Sequence, residues 1–258
     1  MNIHIGLLGL IVFLSATAFG QNPAQRNPSS LSPFDDPFDV MEKWPDSSFP
    51  TRQKDHGPAQ TVSLRDLEHK VPKPALNEYK KSAEAFKKDD SLLAKQHLEK
   101  ALEIDPRFAD AHNDLGVAFA RLGQMDHATA EFQRAIELSQ QNSAASANLS
   151  VALYVKGEYH EASLTARQAL RANPGLPQAS YVLGLSLIAE HGDTNETIAS
   201  LERAASQYPE SHIIAADILT KAGRRDEAVW HLKEYLRSAP ANDPRKLGLE
   251  ARLAELQH

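Results

Sequence analysis

Along residues 75–242 the apolar side chains recur at i, i+3, i+4 and i+7, and this spacing predicts amphipathic helices. The helices come in pairs around glycine-containing turns, and the pattern returns every 34 residues. Ala94, Ala128 and Ala162 share one column, Ala101, Ala135 and Ala169 a second, and Leu115, Leu149 and Leu183 a third. Small residues align at Ser82, Gly116, Ser150 and Gly184, bulky ones at Phe119, Leu153 and Leu187, and Gly123 and Gly157 mark the same turn. Pro106 and Pro174 end second helices, with Gln140 in the proline's place between them. The period divides the segment into units 75–108, 109–142, 143–176, 177–209 and 210–242. The fourth unit carries one extra residue near His191–Gly192, and the fifth has a shortened first helix.

Two helices approach to about 8–10 Å only where the facing side chains are small. The small column is therefore expected to meet small partners across each hairpin: Gly116 against Ala128, Ser150 against Ala162, and Gly184 against Thr197. Leu115, Phe119 and Phe132 would fill the space against the next unit. Residues 243–258 place Leu249, Leu253 and Leu256 on one stripe with charges behind it, which suits a helix that covers the open end of a stack.

The pattern is similar to the tetratricopeptide repeat. Unit 109–142 shows it through Leu115, Gly116, Phe119, Gly123, Ala128, Phe132 and Ala135, and unit 143–176 through Leu149, Leu153, Gly157, Tyr159, Ala162, Ala169 and Pro174. The fourth unit keeps Leu183, Gly184 and Leu187, and the fifth keeps Gly223, Ala228, Leu232 and Pro240. His112, Ser146 and Ser180 stand at the usual Trp position, and Lys81 sits in the Leu column of the degenerate first unit. The resemblance implies an all-α solenoid of about five helix-turn-helix units with a capping helix, of the kind found in exported bacterial proteins.

The chain ahead of the repeats changes character twice. Ile5–Leu14 is an unbroken apolar run followed by Ser15, Ala16, Ala18 and Gly20, so residues 1–20 read as a signal peptide cleaved near Ala18 or Gly20. Its amino end lacks Lys and Arg, and uncleaved it would serve as an anchor. An exported location, periplasmic or secreted, is expected. Residues 21–74 form a proline-rich linker with a short lead-in, in which repeated prolines block helix and sheet. Phe34, Phe38 and Trp44 lie in its acidic stretch, opposite in charge to Lys70, Lys73, Lys80, Lys81, Lys87 and Lys88, so the leader is able to fold back on the first unit.

Chemistry narrows the picture further. A formal charge of −6 gives no global attraction to nucleic acid, and the absence of cysteine removes disulfides, thiolate metal sites and thiol catalysis. His160-Glu161 lacks the second His of a zinc-protease motif, Gly184-Leu185-Ser186 lacks the second Gly of a nucleophile elbow, and no glycine-rich phosphate loop occurs. The eleven histidines are scattered, the nearest approach to a pair being His212 and His231, and each reads as a surface or packing residue. No enzyme activity, cofactor or metal is expected.

The resemblance also implies a partner-binding groove lined by first helices. Carried over position by position, it names Asp110, Asn113, Val117, Ala120 and Arg121 in the second unit, and Ala144, Ala147, Val151, Tyr154 and Val155 in the third. In the fourth it names Gln178, Tyr181, Leu185, Ile188 and Ala189, and Asn148 adds an amide beside the lining. Candidate partner residues are thus Asn113, Val117, Asn148, Val151, Tyr154, Val155, Tyr181, Leu185 and Ile188, suited to a protein or peptide with apolar anchors. The carboxylate clamp of chaperone-binding relatives is replaced by Tyr79, Ala83, Asp114, Ala144 and Asn148, which disfavours Hsp70 and Hsp90 tails. The expected function is a non-enzymatic scaffold, with a membrane-anchored assembly or regulatory subunit as the alternative should the leader stay attached.

Overall fold

The computed structural model describes residues 69–139 and 142–258. The expected signal segment, the linker up to residue 68 with its acidic aromatic stretch, and Gln140 lie outside the described residues. Among the described residues there are eleven helices and no strand. They are α1 (Lys73–Phe86), α2 (Ser91–Ile104), α3 (Ala109–Arg121), α4 (Met125–Leu138), α5 (Ser143–Val155) and α6 (Tyr159–Ala172), followed by α7 (Pro177–Ala189), α8 (Thr194–Ala204), α9 (Ser211–Lys221), α10 (Arg225–Ser238) and α11 (Lys246–Gln257). Each helix packs on the next, and the first helices α3, α5 and α7 also touch one another in series. The result is the all-α solenoid that the spacing predicts. None of the described helices is long and apolar enough to cross a membrane.

One backbone conformation turns every hairpin. Asp89, Gly123, Gly157, His191 and Gly223 have φ of 57°, 75°, 81°, 53° and 74°. That left-handed residue lets the following N–H fold back onto a carbonyl of the first helix, as in Gln124 N to Phe119 O and Glu158 N to Leu153 O, both 2.9 Å. The same closure recurs at Asp90 to Ala85, Gly192 to Leu187 and Arg224 to Leu219. Glycine is the cheap solution, while Asp89 and His191 accept the conformation at a steric cost. Second helices begin with caps where the sequence supplies them: Asp90 and Asp193 side chains accept from Leu93 N and Glu196 N at 2.9 and 2.7 Å.

The small column works differently from the expectation of small against small. A Cβ on Gly116 would stand 2.6 Å from two ring carbons of Phe132, and one on Gly184 would stand 2.9 Å from a Leu201 methyl. Gly116 and Gly184 therefore each receive a bulky side chain from the second helix of their own hairpin, one turn beyond the expected Ala128 and Thr197. Phe132 is fully buried there.

A second column explains how the units manage without the usual Trp. Glu78 Oε2 lies 2.8 Å from His97 Nδ1, His112 Nδ1 lies 2.6 Å from Glu131 Oε2, and His212 Nδ1 lies 2.9 Å from His231 Nδ1. All three pairs are nineteen residues apart and bridge the two helices of one hairpin. In the first, second and fifth units a polar pair thus takes the place of an aromatic, while the third and fourth bury Ser146 and Ser180 there. At the far end α11 sets Leu249 into the core with Leu253 and Leu256 against it, while Leu247 faces solvent. Arg252 pairs with Asp217 and reaches Thr220 Oγ1 at 3.2 Å, tying α11 to α9 as well.

Candidate partner-binding face

The middle first helices are clad on nearly all sides. Each of α3, α5 and α7 meets its own second helix, the second helix before it, and a neighbouring first helix. Alanines at 111, 118, 145, 147, 152 and 179, all fully or almost fully buried, permit that close approach. As a consequence Val151, Leu185 and Tyr154 are only 0%, 1% and 2% exposed, and Val117 and Tyr181 are buried as well. The Tyr154 ring sits 5.3 Å from Tyr159, and Tyr181 stacks on Tyr208 with centroids 4.5 Å apart. Val117, Val151, Tyr154, Tyr181 and Leu185, read from the sequence as the lining of an open groove, are therefore core residues. They are enclosed by the packed helices around them, and truncating them would remove stability before it removed a partner. Val155, Ile188 and Asn113 remain half-exposed along the margin of this face.

This face also holds a row of amides, half-exposed at Asn113 and Gln178 and buried at Asn148 between them. Gln178 Nε2 donates to Asn148 Oδ1 at 3.5 Å, Asn148 Nδ2 donates to Asn113 Oδ1 at 2.9 Å, and Asn113 Nδ2 donates to Asp114 Oδ1 at 3.0 Å. The row crosses from the fourth unit to the second and ends on a carboxylate. Tyr79 of the first unit extends it through a hydrogen bond between its side chain and that of Asp114. Burial pushes the Asp114 carboxyl up to about 7, against the downward pull of the Tyr79 and Asn113 bonds. The same burial, followed by the charge of Asp114, raises the Tyr79 hydroxyl far above its ordinary value.

Asn113 and Asn148 were legible as groove candidates and Gln178 as a lining position, but Asp114 and Tyr79 entered the sequence reading only as places where a clamp is missing. The signal that joins them is polarity out of place. Asn113, Asp114, Asn148 and Gln178 stand among mostly apolar or small residues on α3, α5 and α7, and Tyr79 reaches them from α1. A further set of contacts staples unit to unit at the turns: Asp126 to Lys156 at 3.0 Å, His160 to Glu190 at 2.7 Å, and Arg224 to Asn195 at 2.8 Å. Among the described residues no group of three or more His, Asp or Glu is placed to hold a metal ion.

Sequence models of the repeat agree with this geometry. A "TPR repeat" model matches residues 94–123, and two "Tetratricopeptide repeat" models match residues 109–142 and 178–211. The chain carries tetratricopeptide repeats across residues 94–142 and 178–211. A search of curated proteins finds no match to it. Solved structures similar to this tetratricopeptide-repeat chain include PilF of Pseudomonas aeruginosa, at 24% identity and a TM-score of 0.62, over 71% of this chain and 84% of that one. MamA from Desulfovibrio magneticus RS-1 is 18% identical with a TM-score of 0.57, over 65% and 96% of the two chains. YrrB, described as a TPR protein with an unusual peptide-binding site, is 19% identical with a TM-score of 0.55, over 69% and 91%. At these identities the likeness shows the solenoid fold.

Proposed function

We propose that this tetratricopeptide-repeat protein is a non-enzymatic scaffold that works after export and holds an extended stretch of a partner polypeptide along its inner face. The observation that carries the reading is the amide row Asn113–Asn148–Gln178, set on helices that are otherwise apolar and close-packed. A primary amide offers two donors and an acceptor, so a row of them matches the alternating N–H and C=O groups of an extended main chain. Asn113 and Gln178 are half-exposed, and each uses one donor within the row. Val155 and Ile188 supply apolar contact beside it. The peptide-binding site named for YrrB supports this use of the fold.

The export assignment rests on residues 1–20. The missing Lys and Arg at the amino end favour one alternative, an uncleaved leader that makes the chain an anchored assembly or regulatory subunit. Intact mass of the exported protein separates the two, since cleavage starts the chain near Phe19 or Gln21.

Binding is tested by placing a photo-reactive residue at Val155 or Ile188, and at Leu164 on an outward-facing second helix as control. The reading expects partner cross-links from the first two positions that vanish when Asn113, Asn148 and Gln178 are replaced by Ala. Equal cross-linking from Leu164, or adducts indifferent to the triple replacement, would overturn it.

A further inference from the structure

The α9–α10 hairpin repeats the nineteen-residue polar pair of the first two units, but with imidazole on both sides. His212 Nδ1 and His231 Nδ1 are 2.9 Å apart, so one proton at most lies between them and at least one of the two nitrogens presents a lone pair. On the far side of the His231 ring, Nε2 faces Glu202 Oε1 of α8 at 3.5 Å. A carboxylate at that nitrogen favours the tautomer with the proton on Nε2, leaving the His231 Nδ1 lone pair directed at His212. The same carboxylate–imidazole arrangement orients histidines that bind metals. The spacing of the two Nδ1 atoms also fits adjacent corners of a coordination sphere: with metal–nitrogen bonds of about 2.0–2.1 Å, they subtend an angle of about 90°.

We propose that His212 Nδ1 and His231 Nδ1 form a two-nitrogen site for a divalent late transition ion, with copper(II) preferred over nickel(II) and zinc(II). The preference follows the general order of affinity for imidazole ligands. No third His, Asp or Glu completes the set among the described residues, so water fills the remaining positions. His212 is half-exposed and provides the way in, while His231 is only 2% exposed and fixes the geometry. Binding needs no net loss of a proton: His212 shifts its hydrogen from Nδ1 to Nε2 through solvent, and His231 keeps its hydrogen on Nε2. Among the surrounding charges, Glu234 acts on both rings in favour of a cation, Glu227 adds to this at His231, and Arg237 opposes it at His212.

Trp230 gives the site its own reporter, with its ring centroid 4.7 Å from that of His231 and 5.7 Å from that of His212. The test uses the untagged full chain carrying Trp44→Phe, so that Trp230 is the remaining indole, titrated with copper(II) chloride and then with nickel(II) or zinc(II) as competitors. The expected result is quenching that saturates at one equivalent, is abolished by His212→Ala and is weakened about tenfold by Glu202→Gln. His212→Ala sits on a half-exposed helix position, and circular dichroism checks that the helices remain. If it does not fold, the more exposed Glu202→Gln decides. Quenching that is unchanged in the variants, or that rises without saturation through ions at other histidines, would overturn the site.

Discussion

Gly116→Ala isolates the contact on which the hairpin geometry depends. The added methyl carbon would sit 2.6 Å from Cδ1 and Cε1 of Phe132 and 3.0 Å from its Cζ. Relief requires a shift approaching 1 Å, because ordinary carbon contacts lie at about 3.5–4.0 Å. Phe132 has no solvent-exposed position into which to swing, being 0% exposed. Overpacking of this kind costs about 1–3 kcal/mol, and replacing a mid-helix glycine by alanine returns about 1 kcal/mol. The expected net loss is up to about 2 kcal/mol, or up to about 6 °C in melting temperature for a folded body of this size. A cycle makes the assignment specific. Phe132→Leu alone should destabilise through lost packing, but together with Gly116→Ala it should recover part of the combined loss, leaving a coupling of about 1 kcal/mol. Thermal unfolding followed at 222 nm reads all four proteins. If Gly116→Ala raises the melting temperature, as helix propensity alone would have it, the ring does not rest on the glycine and the packing account fails.

Further predictions concern core and charge. Tyr154→Ala or Leu185→Ala should each lower stability by about 2–5 kcal/mol in denaturant titrations, since both side chains are core; wild-type stability with a lost partner would return them to the surface. Asp114 is raised in the native state to about 7 from an unfolded value near 4, so the native chain holds a proton that the unfolded chain releases, and this group's contribution falls as pH rises through that window. Asp114→Asn should therefore stabilise more at pH 8 than at pH 5, by up to about 3 kcal/mol, and an equal effect at both pH values would refute the burial of the charge. His231 has the opposite sign: burial, then the neighbouring His212, lowers it to about 4, so stability is lost as pH falls from about 6.5 towards 4, with Glu227 and Glu234 moderating the effect. In an Asp114→Asn background that acid loss should stand out in pH-dependent melting, and His231→Gln should remove it.

The solenoid was legible because its determinants are local and repeated. The alanine, leucine and glycine columns each state a contact that recurs every unit, so an error at one position does not disturb the series. Two turn residues were hidden for a physical reason: Asp89 and His191 adopt the left-handed backbone that the glycines announce elsewhere, and nothing in their identity advertises it. The binding face was harder. Positions transferred from the family presume an open inner surface, but the run of small residues on α3, α5 and α7 lets these helices close on one another and draws Val151, Tyr154 and Leu185 inside. Polar residues that stayed on that face, such as Asn113 and Asn148, could be named from sequence, whereas their joining into one hydrogen-bonded row depends on the stagger between units. His212 and His231 were noted in the sequence but set aside as a pair because nineteen residues looks distant along a chain. Across a helical hairpin it is adjacent, as Glu78–His97 and His112–Glu131 also show.

The most direct measurement is the affinity of the full chain for extended peptides selected against it from a random library, compared between the wild type and a variant in which Asn113, Asn148 and Gln178 are all alanine. The account predicts loss of at least about tenfold in affinity, corresponding to about 1.4 kcal/mol, with the melting curve still cooperative and Leu164→Ala without effect. Undiminished binding by the triple variant, or peptides whose binding is abolished by Leu164→Ala instead, would contradict it.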